Sequence, residues 1–134
     1  MMLLDTDVVS LLWKRDERVA DCLLLLKGET LFISFMTLAE LYQWARIRNW
    51  GQPRLEQFTI WLRRFIVLPY DEQVCWQWAT VRAARRAQGR PISVQDAWVA
   101  ACALHYGCTL LTRNVADFAN IAGLSIATTN PIPK

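Results

Sequence analysis

The stretch Leu3-Leu4-Asp5-Thr6-Asp7-Val8-Val9 decides how the rest of the chain is read. It opens as a short apolar run, long enough for one buried strand, and ends in two carboxylates separated by a threonine. Val8, Val9, Leu11 and Leu12 then space like the start of a helix. A carboxylate at the end of a buried first strand lies where α/β sheets place their ligands, outside the carboxyl ends of the strands. Burying it is costly unless it is paired or holds a cation. Asp5, with no local cap to make, is therefore read as one member of an acid cluster that binds a divalent metal. Asp7 either joins that cluster or caps the helix that follows.

Outward from this stretch, strands and helices alternate. A helix is predicted over 16–27, with Val19, Cys22, Leu23 and Leu26 on one stripe. Leu31-Phe32-Ile33-Ser34 reads as a second strand, followed by a helix from about 36 to 48 with Thr37 as its cap. Glu40 falls in the first turns of that helix, and Trp44 lies at the i+4 spacing that puts both on one face. Pro53 suits the first turn of the next helix. Ile66-Val67-Leu68 is a third strand, and Asp71 caps a long helix that Gly89 ends. Ser93 caps a nearly all-apolar helix over 94–106, closed by Gly107, with Asp96 three residues after the cap. Residues 108–112 and 124–127 read as the fourth and fifth strands, with a short turn over 114–118 between them. Such alternation argues for a three-layer α/β/α fold, a mostly parallel sheet of four or five strands covered on both faces.

The 134 residues make a single domain, 1–134, with one core. At 54% hydrophobic and 20% charged the chain is globular. Its net charge of +3 comes largely from arginines, with a cluster at Arg82, Arg85, Arg86 and Arg90. The cluster is either a phosphate-recognising set or a solvated helix face. The four cysteines form no CxxC pair and read as small core residues of a reducing compartment. No apolar run is long enough for a membrane span, and the N-terminus lacks a signal-peptide pattern, so a cytoplasmic protein is expected.

Each acid has a local alternative: Glu40 as an exposed helical residue, Asp96 as the acid of a capping box opened by Ser93, Asp117 as a turn cap. Their joint placement argues otherwise. Asp5, Glu40, Asp96 and Asp117 all fall just after predicted strands or at helix starts on one sheet edge. Carboxylates about 5 Å apart repel by roughly 3 kcal/mol per pair at an effective dielectric near 20. A cation at the centre removes that cost. Oxygen ligands without histidine or thiol select Mg²⁺ or Mn²⁺, which activate water for phosphodiester hydrolysis.

Four blocks of sequence carry a resemblance: Leu3-Leu4-Asp5-Thr6-Asp7; Thr37-Leu38-Ala39-Glu40-Leu41; Gly89-Arg90-Pro91-Ile92 leading to Asp96-Ala97-Trp98-Val99-Ala100; and Leu111-Thr112-Arg113-Asn114-Val115-Ala116-Asp117-Phe118. In that order they resemble a PIN domain of the VapC type, the ribonuclease toxins of bacterial toxin–antitoxin systems. The resemblance implies an Mg²⁺- or Mn²⁺-dependent endoribonuclease acting on RNA, often tRNA or ribosomal RNA. It implies Asp5, Glu40, Asp96 and Asp117 as catalytic acids. Asp5, Asp96 and Asp117 would hold metal, with Asp7 and Glu40 as further ligand candidates. Either Asn114 or Asp117 can occupy the fourth acid position, and Asp117 is preferred for its charge. Thr6, Thr112 and Asn114 would line the pocket, and Arg90 and Arg113 would meet RNA. Asp7 departs from the asparagine common in the family, leaving its role as a ligand open. Similar toxins form homodimers and bind a cognate VapB-like antitoxin whose C-terminal segment covers a hydrophobic groove and obstructs the acidic pocket.

The lone histidine, His105, reads as structural. Of the seven tryptophans, Trp76, Trp78 and Trp98 are expected in the core, whereas Trp44, Trp50 and Trp61 suggest a partner surface. Two rival readings remain. A haloacid-dehalogenase-like phosphatase would use Asp5 as nucleophile and Asp7 as general acid. It needs a downstream lysine, yet none occurs between Lys27 and Lys134. The other is a non-catalytic RNA- or protein-binding module on the same fold.

Overall fold

A computed structural model describes residues 1–129, so the last five positions of the 1–134 domain lie outside the described residues. Five parallel strands, β1 (Met2–Leu4), β2 (Leu31–Ser34), β3 (Ile66–Leu68), β4 (Thr109–Thr112) and β5 (Ile126–Thr128), form one sheet in the order β3-β2-β1-β4-β5. Alternation along β1 supplies both faces. Met2 and Leu4 join one apolar cluster with Val8, Leu41 and Phe58, while Leu3 joins the other with Val74, Ala100 and Leu110. Helices α1 (Thr6–Lys14), α3 (Phe35–Ile47) and α4 (Gln52–Leu62) cover the first face; α5 (Glu72–Ala87) and α6 (Val94–Tyr106) cover the second. Between α1 and β2 lies the single-turn helix α2 (Leu23–Leu26). The three-layer α/β/α arrangement is the one expected from the sequence.

The chain leaves β1 toward β2 on one side, and β4 returns to pair with β1 on the other. That change of direction is the switch point at which open parallel sheets hold ligands, just beyond the carboxyl ends of the strands. Asp5 follows β1, α3 follows β2, and the turn carrying Asn114 and Asp117 follows β4.

Local structure differs from the sequence reading in four places. The helix expected over 16–27 is a 3₁₀ turn, Glu17–Cys22, followed by α2. Three residues per turn align Val19 with Cys22, and both are buried, while Leu24 is left 83% exposed. Ser34, not Thr37, caps α3, accepting the Thr37 N–H at 3.0 Å. The fifth strand begins two residues later than expected. Finally, Asp5 does cap a helix: its side chain accepts the Thr6 N–H at the start of α1, and Asp7 sits inside the first turn.

Aromatic placement also departs in part. Trp76 is 65% exposed on α5 and not in the core, whereas Trp78 and Trp98 stack with ring centroids 5.0 Å apart. Trp44, Trp50 and Trp61 are half-buried and join Trp13 around the fully buried Phe58. They therefore serve the packing of α4 on α1 and α3. His105, on the last turn of α6, has Nε2 3.5 Å from Asp71 Oδ2 at the cap of α5. Cys22, Cys102 and Cys108 are buried and Cys75 is exposed. Among the described residues, no helix is long and apolar enough to cross a membrane.

Candidate active site

A cavity of about 410 Å³ opens at the switch point, lined by Asp5, Thr6, Asp7, Ser10, Lys14, Glu40, Leu41, Trp44, Asp96 and Asn114. Four of the acids singled out in the sequence thus share one cavity although they come from three distant segments. Asp5 is the most deeply set, 7% exposed. Its two oxygens have separate anchors: Oδ1 accepts the Thr6 N–H at 2.9 Å, and Oδ2 accepts the Thr112 hydroxyl at 2.9 Å. Thr112 in turn accepts the Asn114 N–H at 3.0 Å. Thr112 lies wholly buried beneath Asp5 and orients it from below, whereas it had been expected to line the pocket.

Glu40 is held by hydroxyls. The Thr6 Oγ1 lies 2.9 Å from Glu40 Oε1 and 3.0 Å from Thr37 Oγ1. With one proton to give, Thr6 donates to the carboxylate and accepts from Thr37. Asp96 stands on the first turn of α6, its backbone N–H donating to the Ser93 cap at 3.0 Å. Asp7 pairs at the rim with Arg113, Nη1 to Oδ2 being 3.5 Å. Arg113, expected to meet RNA, thus stands beside an acid of the site. Arg90 is exposed in the turn before α6 and, like Asp117, is not part of the cavity wall.

Electrostatics separates these acids from ordinary surface carboxylates. Burial pushes the Asp5 carboxyl up from 3.8 to about 6, opposed by the Thr112 bond and reinforced by the charge of Asp96. Glu40 is raised by burial, against the Thr6 bond and with the Asp96 charge. Asp96 is raised by burial and, despite the Ser93 cap, also by the charge of Asp117. Acids that are partly desolvated and mutually repelling, in a cleft, are a site a cation would stabilise. Among the described residues, no three carboxylate, histidine or thiol side chains close into a cage for a metal ion. A full cage is not needed for Mg²⁺, which keeps several waters and takes one or two carboxylates.

These bonds make one expectation specific. Thr112→Val removes a donor to the charged form of Asp5, so its pKa rises further, by about one pH unit for a bond to a charged group. An NMR titration of the Asp5 carboxyl in metal-free protein reads the change directly. A titration midpoint unmoved from wild type would contradict the role given to Thr112.

The family profile described as PIN domain matches residues 2–124. The chain belongs to the PIN domain family. It is similar to Ribonuclease VapC1 of Haemophilus influenzae, 32% identical over 91% of this chain and 92% of that protein. It is also similar to Toxin FitB of Neisseria gonorrhoeae, 33% identical over 88% of this chain and 91% of that one. The solved structure of VapBC-1 from nontypeable Haemophilus influenzae superposes with a TM-score of 0.80 at 30% identity, covering 96% of this chain and 97% of that chain.

Within this PIN domain, three residues were not singled out for the site by sequence. Ser10 and Lys14 share the helical face of Asp7, at spacings of three and seven, a signal the sequence does contain. Arg85 had been placed among the basic or solvated arginines, yet it is 6% exposed. Its Nε donates to the Arg90 carbonyl at 2.8 Å, and its Nη1 to the carbonyls of Asp117 and Ala119 at 3.0 and 3.1 Å. It therefore ties the turn before α6, which leads to Asp96, to the turn that carries Asp117.

Proposed function

We propose that this PIN domain is the endoribonuclease toxin of a toxin–antitoxin pair, dependent on Mg²⁺ or Mn²⁺. The observation that carries the reading is the meeting of Asp5, Glu40 and Asp96 in one cavity, each with its pKa raised by burial and a neighbouring charge. An unpaired buried acid is expensive to maintain unless a cation offsets it. Asp5 and Asp96 would hold the ion, with Asp7 and Glu40 in the same cavity; Asp117, outside the cavity wall, bears on the site through its charge on Asp96. When bound, the divalent cation lowers the pKa of water and offsets charge on a phosphoryl oxygen.

The residues of this chain do the remaining work. Thr112 and the Thr6 N–H fix both oxygens of Asp5, leaving further lone pairs directed elsewhere. Thr6 holds Glu40 with its free oxygen available to orient an attacking water or accept its proton. No serine or cysteine nucleophile is required, since attack by water on phosphorus leaves no covalent enzyme intermediate. RNA, of the tRNA or ribosomal class, is the substrate. A cognate VapB-like antitoxin is the natural partner, and a homodimer the natural assembly.

The test is cleavage of tRNA and ribosomal RNA by purified, antitoxin-free protein with Mg²⁺, with Mn²⁺ and with chelator. Cleavage with either ion and none with chelator is expected, and products should lack a 2′,3′-cyclic phosphate because water is the attacking group. Cleavage that persists in chelator would refute the metal-dependent reading. RNA binding without any cleavage would favour a non-catalytic module.

A further inference from the structure

Beyond its acids, the cavity has a second half with different chemistry. Ser10, Lys14, Leu41 and Trp44 line it, and among the described residues Lys14 is the one lysine or arginine in the cavity wall. The Lys14 Nζ sits 5.1 Å from the centroid of the Trp44 ring. That face of the indole therefore looks toward the cavity. On the core side, Trp50 and Phe58 meet Trp44 at steep angles, 68° and 79°, with centroids 5.0 and 6.1 Å away. The half-buried ring is thus braced by two aromatic neighbours and carries an exposed lysine over its face. Trp44 stands one helical turn, about 6 Å, beyond Glu40 on the same helix.

A rigid indole with a removable cation on its face, one turn from an acidic centre, suits a particular ligand. A polyanion entering an acidic cavity needs a positive charge beside its phosphates, and Lys14 in the wall supplies one. An unpaired base gains most by stacking on an aromatic face. The contact between an exposed lysine and an indole is weak enough to be exchanged.

Resting on the ribonuclease reading of this cavity, we propose that Trp44 and Lys14 form a nucleotide subsite for single-stranded RNA. The base next to the scissile phosphate stacks on Trp44, and the Lys14 ammonium moves from the ring to that nucleotide's phosphate. Duplex RNA is excluded, because its bases are not free to stack on protein.

The experiment uses a single-stranded oligoribonucleotide carrying a site that the wild-type protein cuts, and copies with one abasic position at each nucleotide flanking the cut. Trp44→Leu fills the space without an aromatic face and is expected to raise KM about tenfold. Trp44→Phe should restore most of the loss. One abasic position should cost wild type about the same factor and cost Trp44→Leu little, since the partner face is already gone. Lys14→Met should weaken binding and flatten the salt dependence of log K by about one. Matching thermal melts show that the variants are folded. A wild-type KM in Trp44→Leu, or equal abasic penalties in both proteins, would overturn the subsite while leaving cleavage itself intact. So would a Trp44→Leu variant with unchanged KM but weakened antitoxin binding, which would assign the face to a protein partner. Wild-type protein that cut no RNA at all would overturn the subsite together with the ribonuclease reading.

Discussion

Asp5→Asn is expected to lose RNA cleavage by at least about 100-fold while making the metal-free protein more stable. The loss follows from Asp5 being the most buried acid of the cavity. Removal of a residue that merely orients a ligand typically costs 10- to 100-fold, and a ligand itself costs more. The gain follows from its titration. Burial raises the Asp5 pKa from 3.8 to about 6, so the folded carboxyl keeps its proton after the unfolded one has lost it. Between about pH 4 and pH 6 the native state binds more protons, and stability falls as pH rises by up to about 3 kcal/mol. At neutral pH the whole penalty is present, and a neutral asparagine escapes it. Asparagine also keeps the local bonds: its oxygen accepts the Thr6 N–H and its amide donates to the Thr112 hydroxyl. Denaturant melts of metal-free wild type and variant should differ most at pH 7 and converge below pH 4. A variant less stable than wild type at pH 7 would refute the buried-charge argument; undiminished cleavage would remove Asp5 from the site.

The second large effect lies away from the cavity. Arg85→Met keeps the length of the side chain but removes three hydrogen bonds to the carbonyls of Arg90, Asp117 and Ala119. Bonds from a charged donor are worth about 1.5–3 kcal/mol each, and partial rehydration of the freed carbonyls returns some of that. A net loss of about 3 kcal/mol is expected, read as a lower denaturant midpoint at unchanged slope. Cleavage should fall as well, because the turns before α6 and after β4 lose their common tie. The Arg85 charge also lowers the pKa of Asp96, so its removal raises that pKa. A midpoint within about 0.5 kcal/mol of wild type would show that Arg85 is a surface residue after all.

The contrast between Asp5 and Arg85 shows what the sequence could and could not convey. Asp5 stood out because a carboxylate directly after Leu3 and Leu4 breaks an apolar pattern, although its capping of α1 was not foreseen. The strands and long helices were legible for the same kind of reason, through period and caps such as Asp71 and Ser93. Arg85 was not, because on α5 it has the helical spacing of any basic surface residue. Its partners lie 5 to 34 positions further on, and only the packing of α5 on α6 brings them together. Leu23 misleads in the opposite sense: its helical spacing sets it on one stripe with Val19, Cys22 and Leu26, and the 3₁₀ turn before it leaves it exposed. Thr112 is expected in the pocket wall, and the packing of β4 beside β1 sets it under Asp5 instead.

The gathering of acids around a divalent ion can be measured without any RNA. Mn²⁺ titrated into purified, antitoxin-free protein, with free ion followed by its EPR signal, should bind wild type and bind Asp5→Asn and Asp96→Asn at least about 10-fold more weakly. Folded variants that bound Mn²⁺ as tightly as wild type would place the ion elsewhere and contradict the assignment of these acids to one metal centre.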